Sequence, residues 1–237
     1  MADIPYKWNG PRAEFKPDLF EKAIETYGLR VIWQKSMLCP CLDSYGGQPQ
    51  IGCPSCRGKG YLYFDPIETR VLLSSISGNK EQDRIGLQEL GSAYATFKAS
   101  DEVGYRDRIM FVDSTIRFSE IRTRSTPNAE GKSIDSLSYK ALSVVSVRTM
   151  DKVINSTDFS ISQDGLSLQW NKGVSDVAVG QQYSVLYVIN PSYIAMNPLH
   201  EIRGTYTTHN THGFEKYVPL PKQFMIKRED FVKWSLP

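Results

Sequence analysis

The chain has 237 residues, of which 41% are hydrophobic and 23% are charged, and its formal net charge is +2. This length and composition predict a folded protein with a buried core and exclude an intrinsically disordered chain. The net charge is too small for a nucleic-acid clamp. The sequence contains no run of about 20 apolar residues, the length that a membrane-spanning helix needs. The N-terminus lacks the basic and apolar regions of a signal peptide, so we expect folding in a reducing cytoplasm.

An extended arm and a short helix are predicted at the N-terminal end. Residues 1–16 contain prolines, a glycine and aromatic residues without a periodic pattern, which indicates an arm that docks onto another surface. Residues 17–28 begin with Pro-Asp and end with Gly, as a short amphipathic helix does. The face of this helix that we expect to be buried holds Phe20, Ile24 and Tyr27.

Two strands are predicted on either side of a cysteine-rich segment. Alternating apolar and polar residues predict the first strand over 29–37, and the aromatic run at 61–64 predicts the second. Pro66 interrupts the second pattern, so we place a domain boundary near it.

The rest of the chain is predicted to be rich in β-strands. The clearest signal is a hairpin over residues 157–170, in which two alternating segments flank an Asp-Gly turn. The apolar run at 183–189 predicts a central strand that is buried on both faces. Further strands are predicted over 69–76, 93–98, 109–112, 115–123, 137–150 and 201–207.

These elements predict a mainly β protein, with a β-barrel or sandwich-like body, a small N-terminal helix and a zinc ribbon or knuckle. The predicted organisation is an N-terminal arm (1–16), a helix with the zinc-binding knuckle (17–66), a β-rich body (67–207) and a C-terminal arm (208–237). The aromatic side chains that we expect the C-terminal arm to place in an interface are Phe224, Phe231 and Trp234.

The four cysteines form two close pairs, Cys39-x-Cys41 and Cys53-x-x-Cys56, separated by eleven residues. This pattern is typical of structural zinc, because each pair occupies a tight turn and the two turns face each other across a tetrahedral ion. Neighbouring prolines and glycines favour such turns. We therefore expect one structural Zn²⁺ per chain, bound by Cys39, Cys41, Cys53 and Cys56, with no coordination position open to substrate.

Two disulfides, or four unrelated thiols, are the alternative interpretations of the cysteines. The expected reducing environment argues against disulfides, and the clustering of all four within residues 39–56 argues against chance. Residues 53–60, Cys-Pro-Ser-Cys-Arg-Gly-Lys-Gly, also resemble one repeat of the cysteine-rich zinc module of DnaJ-type chaperones. That resemblance is confined to this segment, and it implies zinc binding without implying chaperone activity.

We find no catalytic motif, and we expect the protein not to be an enzyme. The sequence lacks a P-loop, a Gly-x-Ser-x-Gly nucleophile motif and a dinucleotide-binding fingerprint. His209 and His212 could form a weak metal pair, but a solvated loop is the simpler interpretation, and His200 is expected to be structural. Four acidic residues lie among arginines, which favours surface ion pairs or an interface: Asp101, Glu102, Asp107 and Asp113.

The second half of the chain resembles the neck proteins of tailed bacteriophages. The resemblance is carried by residues 180–187 (Gly-Gln-Gln-Tyr-Ser-Val-Leu-Tyr), 190–196 (Asn-Pro-Ser-Tyr-Ile-Ala-Met), 200–203 (His-Glu-Ile-Arg) and 220–230 (Leu-Pro-Lys-Gln-Phe-Met-Ile-Lys-Arg-Glu-Asp). The hairpin that ends at Trp170 and the preceding zinc knuckle fit the same pattern, so that the resemblance extends over residues 30–230.

This resemblance implies a virion structural protein of the head-to-tail connector, such as an adaptor, head-completion or stopper protein. Its expected partners are copies of itself in a ring, portal or tail terminator proteins, and packaged DNA that passes through the channel without sequence-specific contact. It implies no membrane partner, and it places the protein in the virion after assembly in the host cytoplasm. The alternatives are a zinc-ribbon factor in nucleic-acid processing and a tail or baseplate attachment protein.

Overall fold

The computed structural model describes residues 17–43, 47–50, 53–74, 91–171, 173, 176–198, 204–208 and 215–232. The predicted N-terminal arm, the three histidines and Trp234 lie outside these residues. The described chain is mainly β, with one small N-terminal helix, so the predicted fold class is confirmed.

The elements follow one another as helix α1 (Pro17–Tyr27) and strands β1 (Leu29–Leu38), β2 (Tyr61–Ser74), β3 (Ser92–Phe97), β4 (Arg108–Phe111), β5 (Ile116–Thr123), β6 (Ile134–Ser136), β7 (Ser143–Arg148), β8 (Phe159–Ile161), β9 (Ser167–Trp170), β10 (Gln182–Ile189), β11 (Ser192–Pro198), β12 (Gly204–Thr208), β13 (Glu215–Pro219) and β14 (Lys222–Arg228). A 3₁₀-helix, η1 (Glu229–Phe231), ends the described chain.

Six strands close into an antiparallel barrel in the order β1-β2-β3-β14-β11-β4, with β4 pairing back to β1. Alternate side chains of these strands fill the interior, where Phe97 and Phe224 pack edge to face with their ring centroids 5.8 Å apart. The buried residues of this core are Val31, Trp33, Val71, Ala95, Phe97, Val103, Ile109, Phe111, Ala195, Phe224 and Ile226.

Strands β5 to β10 form two three-stranded sheets, β5-β10-β7 and β6-β9-β8, which share a second core; we call this part the β-sandwich. Trp170 and Tyr183 lie at its centre, edge to face, with ring centroids 5.1 Å apart. The buried residues of this core are Leu137, Ala141, Val147, Ile154, Leu168, Trp170, Val177, Tyr183, Val185, Tyr187 and Ile189. The sequence did not decide between a barrel and a sandwich-like body, and the structure contains both.

A buried aspartate holds a tryptophan in each core. In the barrel, Trp33 Nε1 donates to Asp107 Oδ2 at 2.8 Å. In the β-sandwich, Trp170 Nε1 and the Tyr183 hydroxyl donate to Asp135 Oδ2 at 2.7 and 2.6 Å. Asp107 was expected in surface ion pairs or an interface. That prediction is wrong, because Asp107 is buried and its carboxylate accepts from an indole N–H that would otherwise have no acceptor.

Helix α1 contacts strand β2 but buries only one residue of its predicted apolar face. Ile24 is buried, whereas Phe20 is 45% and Tyr27 is 78% exposed, so the predicted face is wrong for both aromatic residues. Gly28 ends the helix, as predicted, by donating its N–H to the Ile24 carbonyl at 2.9 Å. A Cβ atom at residue 28 would lie 2.2 Å from that oxygen, which explains the glycine.

Strand β2 crosses Pro66, where the sequence predicted a domain boundary. The β1–β2 register pairs Lys35 with Phe64 but Trp33 with Ile67, so one extra residue of β2 bulges out. A bulge tolerates the missing N–H of proline, and therefore the strand continues. Because β1, β2 and β3 belong to the same barrel, the predicted division between residues 66 and 67 does not coincide with a division of the sheets.

The predicted C-terminal arm is in large part folded onto the chain itself. Strand β14 lies between β3 and β11 in the barrel, and its Phe224 and Ile226 are part of the barrel core. The expectation that Phe224 serves an interface is therefore wrong. Phe231, in η1, is 41% exposed.

Candidate metal centre

The cysteines lie in a loop at the tip of the β1–β2 hairpin. We call residues 39–60 the cysteine loop; 44–46 and 51–52 lie outside the described residues. The Cys39 N–H donates to the Gly60 carbonyl at 2.8 Å, which continues the pairing of β1 with β2 into the base of the loop. An isolated bridge between Leu42 and Pro49 closes its first turn. The barrel hairpin therefore fixes both ends of the cysteine loop.

The second cysteine pair sits on a compact turn. The N–H of Arg57 donates to the Cys53 carbonyl at 2.9 Å, and the N–H of Lys59 donates to the Cys56 carbonyl at 3.1 Å. Gly58 has a φ of 78°, in the left-handed region that glycine adopts without strain. This turn brings the Cys53 and Cys56 side chains to the same side as the first pair.

The four sulfur atoms converge on one point. All four Sγ atoms lie within 4.8 Å of one another, with separations of 3.8 Å for Cys39–Cys53 and 3.4 Å for Cys41–Cys56. Four thiolates around a tetrahedral zinc ion, at about 2.3 Å from the metal, would lie about 3.8 Å apart. A disulfide needs about 2.05 Å. The geometry fits a tetrahedral metal ion and not two disulfides.

The predicted ligands are thus brought together, and three of them are shielded from solvent. Cys39, Cys53 and Cys56 are buried, and Cys41 is half-buried. The four form a cluster with Leu62, which packs against it. A metal ion held here would have four protein ligands and little contact with water, as structural zinc does.

The thiols differ in acidity. Hydrogen bonds from the backbone N–H groups of Cys56 and Ser55 lower the pKa of Cys53 to about 6. Desolvation raises the pKa of Cys41 to about 12. A bound cation would remove this difference, because it favours the thiolate form of each ligand. Metal binding at neutral pH would therefore release protons, chiefly from the less acidic thiols.

Two basic side chains of the cysteine loop reach other parts of the molecule. Arg57 Nη1 donates to the Leu137 carbonyl in the β-sandwich at 3.0 Å. Lys59 Nζ lies 2.6 Å from Glu229 Oε1 of η1 and 4.5 Å from the centroid of the Tyr139 ring. The loop thus links the barrel hairpin to the β-sandwich and to the C-terminal 3₁₀-helix.

The Glu229 carboxylate that pairs with Lys59 is almost completely buried, with 1% of the residue exposed. Burial alone would raise the pKa of Glu229, but the positive charges of Lys59 and Arg108 and hydrogen bonds from Lys59 and Ser192 hold it below its usual value. Glu229 is therefore ionised at neutral pH, and its charge is compensated mainly by Lys59.

Sequence reasoning identified the four cysteines but missed Arg57, Lys59 and Glu229. Arg57 and Lys59 occupy the variable positions of the Cys-x-x-Cys-x-Gly-x-Gly segment, where a local motif gives no signal. Glu229 is 170 residues from Lys59, so no local pattern joins the pair. His200, His209 and His212 lie outside the described residues, and their predicted roles stay predictions.

No family model matches the chain, and no curated protein matches its sequence. Within the described residues, no helix is both long and apolar enough to cross a membrane.

Proposed function

We propose that the cysteine loop binds one structural zinc ion per chain through Cys39, Cys41, Cys53 and Cys56. The observation that carries this proposal is the convergence of four Sγ atoms within 4.8 Å of one another. Four thiolates favour zinc or iron among the metals common in proteins, and a site without an open position suits a structural ion. The metal would hold a segment that has almost no apolar core of its own.

Elemental analysis of the purified chain tests the metal. We expect about one zinc per chain, with no absorption bands from iron–thiolate charge transfer. Cys53→Ser should lose most of the zinc, whereas Ser55→Ala should keep it, because the Ser55 side chain is exposed and only its N–H reaches the site. A chain with iron in stoichiometric amount, or a folded metal-free chain with all four thiols reactive, would contradict the proposal.

We further propose that the protein is a non-enzymatic structural subunit of the phage neck. In this role, copies of the chain form a ring that joins the portal and head to the tail around the DNA channel. The resemblance over residues 30–230 supports this role, as does the filling of the candidate metal centre by thiolates that leave no position for a substrate. The protein would be assembled in the host cytoplasm and remain in the virion.

Exposed apolar side chains on or beside sheet β5-β10-β7 provide a surface for neighbouring subunits. Ile121 is 69% exposed on β5, and Val145, Met150 and Val153 are exposed on and after β7. Apolar residues grouped on a protein surface are typical of interaction sites. These exposed apolar side chains on and after two strands of one sheet support an assembly role.

Electron microscopy of the purified protein at high concentration tests the ring. We expect closed rings from the parent chain and from Thr123→Asp, and loss of rings in Ile121→Asp. Ile121 and Thr123 lie two residues apart on the same exposed face of β5, so Thr123→Asp is the control for an added charge that replaces no apolar side chain. Monomers at every concentration, or rings that both variants preserve, would contradict this role for the surface.

A further inference from the structure

A cavity of about 540 Å³ lies where the cysteine loop, the barrel and the β-sandwich meet. Most of its walls come from residues 55–59 of the cysteine loop, the outward side of β1, β2 and β4, and residues 138–142 of the β-sandwich, and Glu229 in η1 also lines it. Its volume is in the range that small-molecule sites occupy. Because three parts of the fold build the cavity, its shape depends on tertiary packing.

The charge in the cavity is strongly one-sided. Four basic residues line it, namely Arg57, Lys59, Arg108 and Lys140, and Glu229 is the only acidic residue among its lining. Lys59 is paired with Glu229 at 2.6 Å. The other three basic residues have no carboxylate partner within 4 Å among the described residues, so three positive charges border the same space.

The hydrogen bonds of these cations leave donors available. Arg108 directs both Nε and Nη2 to a single neutral acceptor, Gln34 Oε1, at 2.9 and 2.7 Å. Arg57 donates Nη1 to the Leu137 carbonyl. A guanidinium group has five N–H donors, and these contacts use one or two of them. Both arginines therefore keep the capacity for a charge-assisted contact with a ligand.

Aromatic rings complete the site. Tyr61, Tyr63 and Tyr139 line the cavity, and the Arg108 guanidinium lies 4.3 Å from the centroid of the Tyr63 ring. The Tyr63 hydroxyl is buried and has no hydrogen-bond partner among the described residues. The tyrosine rings thus give the cavity apolar walls beside its cations, while the Tyr63 hydroxyl itself is enclosed by protein atoms.

We propose that this cavity binds an oxyanion, a phosphate or carboxylate group, held by Arg57, Arg108 and Lys140. An oxyanion would neutralise cations that the fold brings together, and bidentate contacts with arginine are its preferred geometry. The competing explanation is that these cations only offset the negative charge of a metal–thiolate centre. Arg57 belongs to the cysteine loop, so the proposal rests in part on the proposed metal; Arg108 and Lys140 belong to β4 and the β-sandwich.

Isothermal titration of the full, metal-loaded chain with inorganic phosphate, pyrophosphate and citrate tests the site at physiological ionic strength. We expect Arg108→Gln and Lys140→Ala each to weaken binding by about tenfold, the effect of one lost charge-assisted contact. Lys132→Ala removes another exposed charge, which lies outside the cavity lining, and should leave binding unchanged. Tighter binding of pyrophosphate assigns the site to phosphate groups, and tighter binding of citrate assigns it to carboxylates.

Absence of binding by all three anions would overturn the proposal, as would equal weakening by Lys132→Ala and Lys140→Ala. Arg108→Gln also removes the contact with Gln34, but the exposed Lys140 allows a substitution that leaves the fold intact. Metal content is measured in each sample. Anion binding by a chain that contains no metal would contradict the zinc proposal alone, and a zinc-loaded chain that binds no anion would contradict this one alone.

Discussion

Replacing Lys59 by Met tests whether the cysteine loop is fastened to the rest of the molecule by the buried pair with Glu229. Methionine keeps most of the length of the side chain but removes the ammonium group, which also lies 4.5 Å from the centroid of the Tyr139 ring. The carboxylate of Glu229, whose side chain is 1% exposed, then loses the partner that lies 2.6 Å away. Removing one member of a buried ion pair destabilises a protein by about 3–5 kcal/mol. Arg108 and Ser192 also stabilise the Glu229 carboxylate, so we expect a cost at the lower end of this range.

A pair on the surface provides a matched control. Lys152 Nζ and Asp176 Oδ1 are also 2.6 Å apart, but their side chains are 47% and 44% exposed. Lys152→Met should therefore cost at most about 1 kcal/mol. The free energy of unfolding is measured by urea titration of both variants and of the parent chain near neutral pH, with similar m values expected for all three.

Glu229→Gln completes the test as a double-variant cycle. If the buried pair acts as inferred, Lys59→Met combined with Glu229→Gln costs less than the sum of the single changes, since no uncompensated charge remains; a coupling of about 0.5–3 kcal/mol is expected. Equal costs for Lys59→Met and Lys152→Met, or additive single changes, would refute the reasoning.

Three further outcomes follow from the structure. Asp135→Ala should cost about 3 kcal/mol or more in thermal unfolding, because it leaves two buried donors, the Trp170 indole and the Tyr183 hydroxyl, without an acceptor; the same cost for the exposed Asp151→Ala would contradict this. The pKa of Glu229 is lower in the folded than in the unfolded chain. Its ionised form therefore stabilises the folded chain at pH values above the unfolded pKa of about 4.3. This stabilisation is lost as the pH falls through the pKa of Glu229 in the folded chain. Unfolding curves of Glu229→Gln should thus lack part of the acid destabilisation seen in the parent, and identical pH profiles would exclude the effect. Chelation of the metal should expose the cysteine loop to limited proteolysis while β3 to β14 stay protected; general digestion would show that the loop is not a local unit.

Features that depend on neighbouring residues could be predicted from the sequence. The cysteines converge as expected because each pair is closed by its own turn. The hairpin over 157–170 forms β8 and β9 around the predicted Asp-Gly turn, where Gly165 has a φ of 74°. A Cβ atom there would lie 2.8 Å from the Ala141 carbonyl, so the turn needs glycine for space as well as for conformation.

Features that depend on distant residues were missed. Strand β11, which begins at Ser192, was not among the predicted strands, and β14 lies in a segment interpreted as an arm. Both strands are defined by their partners in the barrel, which local patterns do not contain. Strand β10 is central, as predicted, but its burial alternates, because one face covers the β-sandwich core while Ser184 on the other face is exposed.

The placement of the cysteine loop makes metal binding and tertiary packing interdependent. A metal that binds only the ordered loop stabilises every contact that requires this order, including those of Arg57 with the β-sandwich and of Lys59 with Glu229. Such coupling is reciprocal: the free energy by which the metal stabilises a contact equals the free energy by which that contact stabilises metal binding, so losing the contact must weaken metal binding. Lys59→Met should therefore release zinc to a competing chelator more readily than Lys152→Met, although neither residue is a ligand. Equal release would show that the loop holds its metal without help from the barrel or the β-sandwich, and the contacts would then be a consequence of the metal-bound shape alone.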